Sequence, residues 1–93
     1  MAEKTGQLSG AQLAQEAREQ LIEITGLEAE SVTGLRRSED DNGSWTVTVE
    51  LLEVSRIPPT ADVLGSYEVE VDQRGQLLAY RRVRRYSRSQ TGD

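Results

Sequence analysis

Trp45-Thr46-Val47-Thr48-Val49-Glu50-Leu51-Leu52-Glu53-Val54 is the stretch on which the fold turns. Trp45, Val47, Val49 and Leu51 alternate with Thr46, Thr48, Glu50 and Leu52. A period of two sends successive side chains to opposite faces of a pleated strand. Aromatic and β-branched residues pack well on such a surface. The spacing predicts a strand over 45–54, with one apolar face that needs a cover.

Outward from it, each flank supplies a further piece. Downstream, Arg56-Ile57-Pro58-Pro59-Thr60 breaks the alternation. Two consecutive prolines lack the amide donors a central strand requires, so this is an irregular crossover. Alternation resumes over Asp62–Asp72, with Val63, Tyr67, Val69 and Val71 on one side and Ser66, Glu68 and Glu70 on the other. Asp72-Gln73-Arg74-Gly75 has the chemistry of a hairpin turn, and Gln76–Tyr86 returns as a last strand. Upstream, Val32–Arg37 predicts a short strand ending in a turn at Glu39-Asp40-Asp41-Asn42-Gly43. Before it, Ser9 stands three residues ahead of Gln12, a capping box. Leu13, Ala17 and Leu21 then recur at helical spacing, and Gly26 suits the residue just past a helix end. These features predict a helix over about 10–25 and flexible tails at 1–8 and 89–93. The expectation is a single α+β domain: an N-terminal helix on a four-stranded antiparallel sheet made of two hairpins.

Composition narrows the chemistry. The chain has 93 residues, no Cys, no His, no Phe and four aromatics in all. Thiol chemistry, disulfides and histidine catalysis are therefore absent. No cofactor and no enzymatic activity are expected. No apolar run approaches the roughly 20 residues of a membrane span, and a cytoplasmic location is expected.

Charge is unevenly placed. Residues 1–72 hold five Lys/Arg against fifteen Asp/Glu, a net of -10, whereas 73–93 hold six Arg against Asp93, a net of +5. The basic part centres on Tyr80-Arg81-Arg82-Val83-Arg84-Arg85-Tyr86-Ser87-Arg88. In a regular strand Arg81 and Arg85 face one side, and Arg82 and Arg84 the other. With a three-residue turn, Glu68 lies opposite Tyr80 and Glu70 opposite Leu78, leaving Arg82 diagonal to Glu68. Three readings stay open: internal charge balancing across strands, a protein-docking surface, and nucleic-acid binding through tyrosine stacking and arginine charge. The acidic remainder of the chain opposes the last. Glu50/Glu53 and Glu68/Glu70 are weak candidates for a hydrolytic pair. Asp40-Asp41-Asn42-Gly43 lacks the spacing of a calcium loop and reads as a turn. Trp45 reads as a core or sheet-face anchor.

Trp45-x-Val47-x-Val49-Glu50-x-x-Glu53-x-x-Arg56-Ile57-Pro58, followed by Asp62-Val63-Leu64-x-x-Tyr67-Glu68-Val69, resembles the gas vesicle protein O family. The likeness continues through Asp72, Gly75, Tyr80, Arg82 and Arg85-Tyr86-x-Arg88, and so covers residues 44–88. It implies an accessory protein needed for gas vesicle formation, distinct from the hydrophobic shell subunit, with other gas vesicle proteins as partners. It carries over no cofactor and no catalytic residue. The candidate partner-binding residues are Arg56, Ile57, Pro58, Arg82, Arg84, Arg85, Tyr86 and Arg88. A regulator that binds nucleic acid weakly through the Arg/Tyr tract is the alternative.

Overall fold

A computed structural model describes residues 8–39 and 43–90. Helix α1 spans Gly10–Thr25, and strands β1 to β4 span Glu28–Arg37, Trp45–Val54, Val63–Val71 and Leu77–Ser87. Single 3-10 turns at Pro59–Ala61 and Arg88–Gln90 follow β2 and β4. The four strands form one antiparallel sheet in the order β1-β2-β3-β4, so the expected α+β architecture is the observed one.

The capping box forms as the residue types require. The Gln12 N–H donates to Ser9 Oγ (3.2 Å) and the Ser9 N–H to Gln12 Oε1 (2.9 Å), satisfying two amides that have no partner inside the helix. At the other end Gly26 takes φ +73°, and its N–H donates to the Ile22 carbonyl (2.8 Å). The stripe Leu13, Ala17 and Leu21 is fully buried against Val47, Val49, Leu51, Tyr67, Val69 and Val71. Truncating either leucine to alanine in such a core costs about 2–5 kcal/mol. Gln20 pins the helix to the β3–β4 hairpin, with Nε2 donating to the Gly75 carbonyl (2.6 Å) and Oε1 accepting from the Leu77 N–H (3.0 Å). Leu8 also belongs to this packing, its N–H donating to the Gln73 carbonyl (3.1 Å). Residues 1–7 and 91–93 of the expected tails, and 40–42 of the expected turn, lie outside the described residues.

Pairing departs from a regular ladder at five places, and these departures correct the sequence reading. In β1, Glu30 and Thr33 are extra residues against β2; in β2, Glu53 is extra against β3. In β4, Leu78 and Val83 are extra against β3. β1 begins at Glu28, four residues before Val32, where Glu28 and Ala29 pair with Leu52 and Leu51; the two bulges break the period of two that would have marked this start. On β4 the bulge at Leu78 places Glu68 opposite Arg81 and Glu70 opposite Ala79, instead of Tyr80 and Leu78. The bulge at Val83 then changes the parity of the tract. Arg82 pairs with Tyr67 and Arg85 with Gly65, on the side of the sheet that α1 covers. Arg81 pairs with Glu68 and Arg84 with Ser66, on the open side. The expected couples Arg81/Arg85 and Arg82/Arg84 are thus replaced by Arg82/Arg85 and Arg81/Arg84. An extra residue in one strand re-aims every side chain beyond it.

Candidate functional site

The sheet end that carries the proline crossover brings most of the candidate residues together, on two faces and a rim. On the open face, Glu50 sits almost out of solvent and accepts from three hydroxyls. Ser66 Oγ donates to Oε1 (2.5 Å), Tyr86 Oη to Oε1 (2.7 Å) and Thr33 Oγ1 to Oε2 (2.8 Å). Burial works against the Glu50 charge, yet the three donors and the nearby Arg84 outweigh it and hold the carboxyl below its ordinary value. Arg84 stacks over the Tyr86 ring, 4.4 Å from its centroid. These groups border an open concavity of about 410 Å³, which Glu30 and Arg88 also line.

On the helix side the centre is Glu53. It accepts from Tyr67 Oη (2.7 Å), and it pairs with Arg82 Nη1 (3.2 Å) and Arg85 Nε (3.1 Å). Tyr67 joins this cluster to the core, since its ring is buried while its hydroxyl reaches the carboxylate. Burial first, then the hydrogen bond to Glu53 and the charge behind it, raise the pKa of Tyr67. Gly65 makes room: a Cβ there would run into the Glu53 carboxylate and lie 2.9 Å from Tyr67 Cε1.

The rim is the crossover itself. Asp62, 5% exposed, accepts the Arg56 N–H at Oδ1 (2.8 Å) and the Arg88 guanidinium at Oδ2 (3.0 Å). Its carboxyl is held low by the Arg56 amide first and by Arg88 as well, against the effect of burial. Arg88 also reaches Glu30, whose carboxyl is lowered chiefly by that hydrogen bond. Outside this fastening, Ile57 is 99% exposed.

The strand pattern with a three-residue turn sets Arg82 diagonal to Glu68 as the tract's cross-strand ion pair. Arg81 pairs with Glu68 instead (3.3 Å), and Glu53, Glu30 and Asp62 take Arg82, Arg85 and Arg88. The available signal for Glu53 and Glu50 is a carboxylate inside a strand otherwise made of Trp, Val, Leu and Thr. Glu50 and Glu53 are not a hydrolytic pair, because the sheet lies between them. The carboxylates are sunk and the guanidiniums outward: the Glu53 side chain is 9% exposed, those of Arg82 and Arg85 are 47% and 54%. Among the described residues no helix is long and apolar enough to cross a membrane, and no cluster of acidic side chains is placed to hold a metal ion.

Three relatives share most of this chain. Gas vesicle protein O of a Streptomyces species is 54% identical over 72 residues, covering 77% of this chain and 54% of the relative. Gas vesicle protein O1 of Halobacterium salinarum is 33% identical over 82 residues, 87% of this chain and 64% of the relative. Gas vesicle protein O of Haloferax mediterranei is 36% identical over 83 residues, 87% of this chain and 55% of the relative. The chain thus spans between half and two thirds of the length of these relatives. No solved structure matches it. Over residues 1–92 it matches the family described as gas vesicle synthesis protein GvpO, and it belongs to that family.

Proposed function

We propose that this chain is a non-enzymatic accessory factor in gas vesicle formation, working in the cytoplasm by binding other gas vesicle proteins. The contact surface in this reading is the crossover end of the sheet: Arg56, Ile57 and Pro58 on the rim, with Arg82, Arg84, Arg85 and Tyr86 beside them. One observation carries it. Ile57 is an uncovered aliphatic side chain on a loop whose two ends are tied together through Asp62. A fixed apolar anchor loses little conformational freedom when a partner covers it. Arg82, Arg84 and Arg85 suit acidic groups on that partner, because Glu53 already orients the forks of Arg82 and Arg85 and the Tyr86 ring that of Arg84.

The test is complementation of a vesicle-forming strain that lacks its own copy. Ile57→Asp and Arg84→Ala are each expected to lower vesicle yield at least about tenfold, the loss of one contact worth roughly 1.4 kcal/mol. The purified variants should keep the wild-type circular dichroism spectrum and urea midpoint. Normal vesicles in both strains would remove this surface from consideration. The nucleic-acid alternative meets a divided tract, with Arg82 and Arg85 on one face and Arg81 and Arg84 on the other. Binding to RNA or DNA with a steep salt dependence would restore it.

A further inference from the structure

Arg88 stands where three parts of the chain meet. Its backbone N–H donates to the Asp62 carbonyl (2.7 Å). Its guanidinium donates through Nε and Nη2 to Asp62 Oδ2 (3.3 and 3.0 Å), and through Nη1 and Nη2 to the two oxygens of Glu30 (3.1 and 3.0 Å). Asp62 in turn holds the Arg56 amide through its other oxygen (2.8 Å). The end of β4 is thereby joined to β1 and to both ends of the crossover. Inside the crossover the Ala61 and Asp62 amides donate to the Pro58 and Pro59 carbonyls (2.9 Å each).

We infer that Arg88 is a positioning residue, holding the crossover so that Arg56 and Ile57 are presented in one orientation, and does not itself meet the partner. Four of the five N–H groups of a guanidinium are engaged with Glu30 and Asp62. Lysine would not replace it, since a single ammonium lacks the planar fork that serves two carboxylates on different elements. The inference rests on the crossover being the contact surface, and its test separates the two.

Amide hydrogen exchange of the full chain, followed by NMR, reads the hold on the loop directly, and vesicle yield in the complemented strain reads its consequence. Arg88→Ala should speed exchange of the Arg56 amide about tenfold, as for one hydrogen bond to a charged group, while the Val49 and Val69 amides stay protected. Asp62→Asn should act in the same direction. Both should lower vesicle yield by loosening the crossover, and since Asp62 is buried its effect must pass through the loop and not through contact with a partner. Arg88→Lys keeps the charge without the fork, and serves if the alanine variant does not fold; it should show the same faster exchange. Arg88 acts as a direct contact, and the inference is overturned, if Arg88→Ala lowers yield while Asp62→Asn does not. An unchanged Arg56 exchange rate in the Arg88 variants overturns it as well. Normal yield with Ile57→Asp overturns the reading of the crossover as a contact surface, whereas the exchange rates still decide whether Arg88 holds the loop.

Discussion

Tyr86 concentrates at one residue the conflict between burial and charge that recurs across this sheet. Its hydroxyl donates to the sunken Glu50 carboxylate at 2.7 Å, while its ring lies under Arg84. Ionising that hydroxyl would bury a second negative charge against the first. Burial, and then Glu50, accordingly push its pKa from the ordinary 10.0 up to about 12. A group whose folded pKa is raised adds stability that is complete below the unfolded value and is lost as pH rises through the folded one. Tyr86→Phe removes a hydrogen bond to a charged acceptor and should cost about 1.5 kcal/mol at pH 8. The gap to wild type should then narrow between pH 10 and about 12, where unfolded but not folded Tyr86 ionises. Urea denaturation of both proteins at pH 8, 10 and 11.5 measures this. A gap that stays constant through pH 11.5 would refute the coupling to Glu50.

At the level of elements, the bulges do the placing. Three of the extra residues, Glu30, Thr33 and Glu53, each carry a contact that joins strands: Glu30 to Arg88, Thr33 to Glu50, and Glu53 to Tyr67, Arg82 and Arg85. The Glu53 bulge depends on glycine in the neighbouring strand, since a Cβ at Gly65 would meet the Glu53 carboxylate and Tyr67 Cε1. Gly65→Ala should therefore destabilise by about 1–3 kcal/mol, the usual cost of overpacking. Adding the alanine to a Glu53→Ala background should cost less than in wild type, because the carboxylate it displaces is gone. A double-mutant cycle by urea denaturation measures this, and strict additivity would show that the two residues do not compete for space. The same bulges explain what was legible in the sequence. The ends of α1 and β2 are legible, because helical spacing, a capping box and the alternation that starts at Trp45 and stops before the Arg56-Ile57-Pro58 break carry the boundary information locally. The β3–β4 turn was read too, from Asp72 and Gly75. The start of β1 and the faces of the β4 arginines were not, because an extra residue leaves no mark on a strand whose exposed positions accept any polar side chain. The rim residues Arg56, Ile57 and Pro58 were singled out by their break in pattern, whereas Asp62, Glu30 and Glu53 acquire meaning only once the pairing is known.

Across the whole molecule, the charge split of the sequence becomes a set of closures between β4 and the rest. The net of -10 in residues 1–72 and of +5 in residues 73–93 meet at Glu68 with Arg81, at Glu53 with Arg82 and Arg85, and at Glu30 and Asp62 with Arg88. The exposed pair Arg81–Glu68 contributes little, about 0–1 kcal/mol. The sunken carboxylates of Glu50, Glu53 and Asp62 matter more, because unpairing any of them leaves a buried charge. Glu30, Glu50 and Asp62 are all held below their ordinary values of 4.5, 4.5 and 3.8. Depressed carboxyl values add stability that is complete above the unfolded values and is lost as pH falls through the folded ones. Protonation of the sixteen Asp and Glu would also leave eleven Lys and Arg to repel one another. Stability should therefore be flat between pH 6 and 8 and fall steeply below about pH 4. Glu50 offers the sharpest check, because its three donors are neutral hydroxyls and no arginine is displaced by changing it. Glu50→Gln should lower the urea midpoint at pH 7, and the deficit should shrink as pH falls below 4.5, since Glu50 then takes up its proton in the unfolded chain before it does so in the folded one. Parallel urea titrations at pH 7, 4 and 3 read the difference. A deficit as large at pH 3 as at pH 7 would mean that the Glu50 charge contributes nothing and that the loss comes from setting an amide donor among three hydroxyl donors.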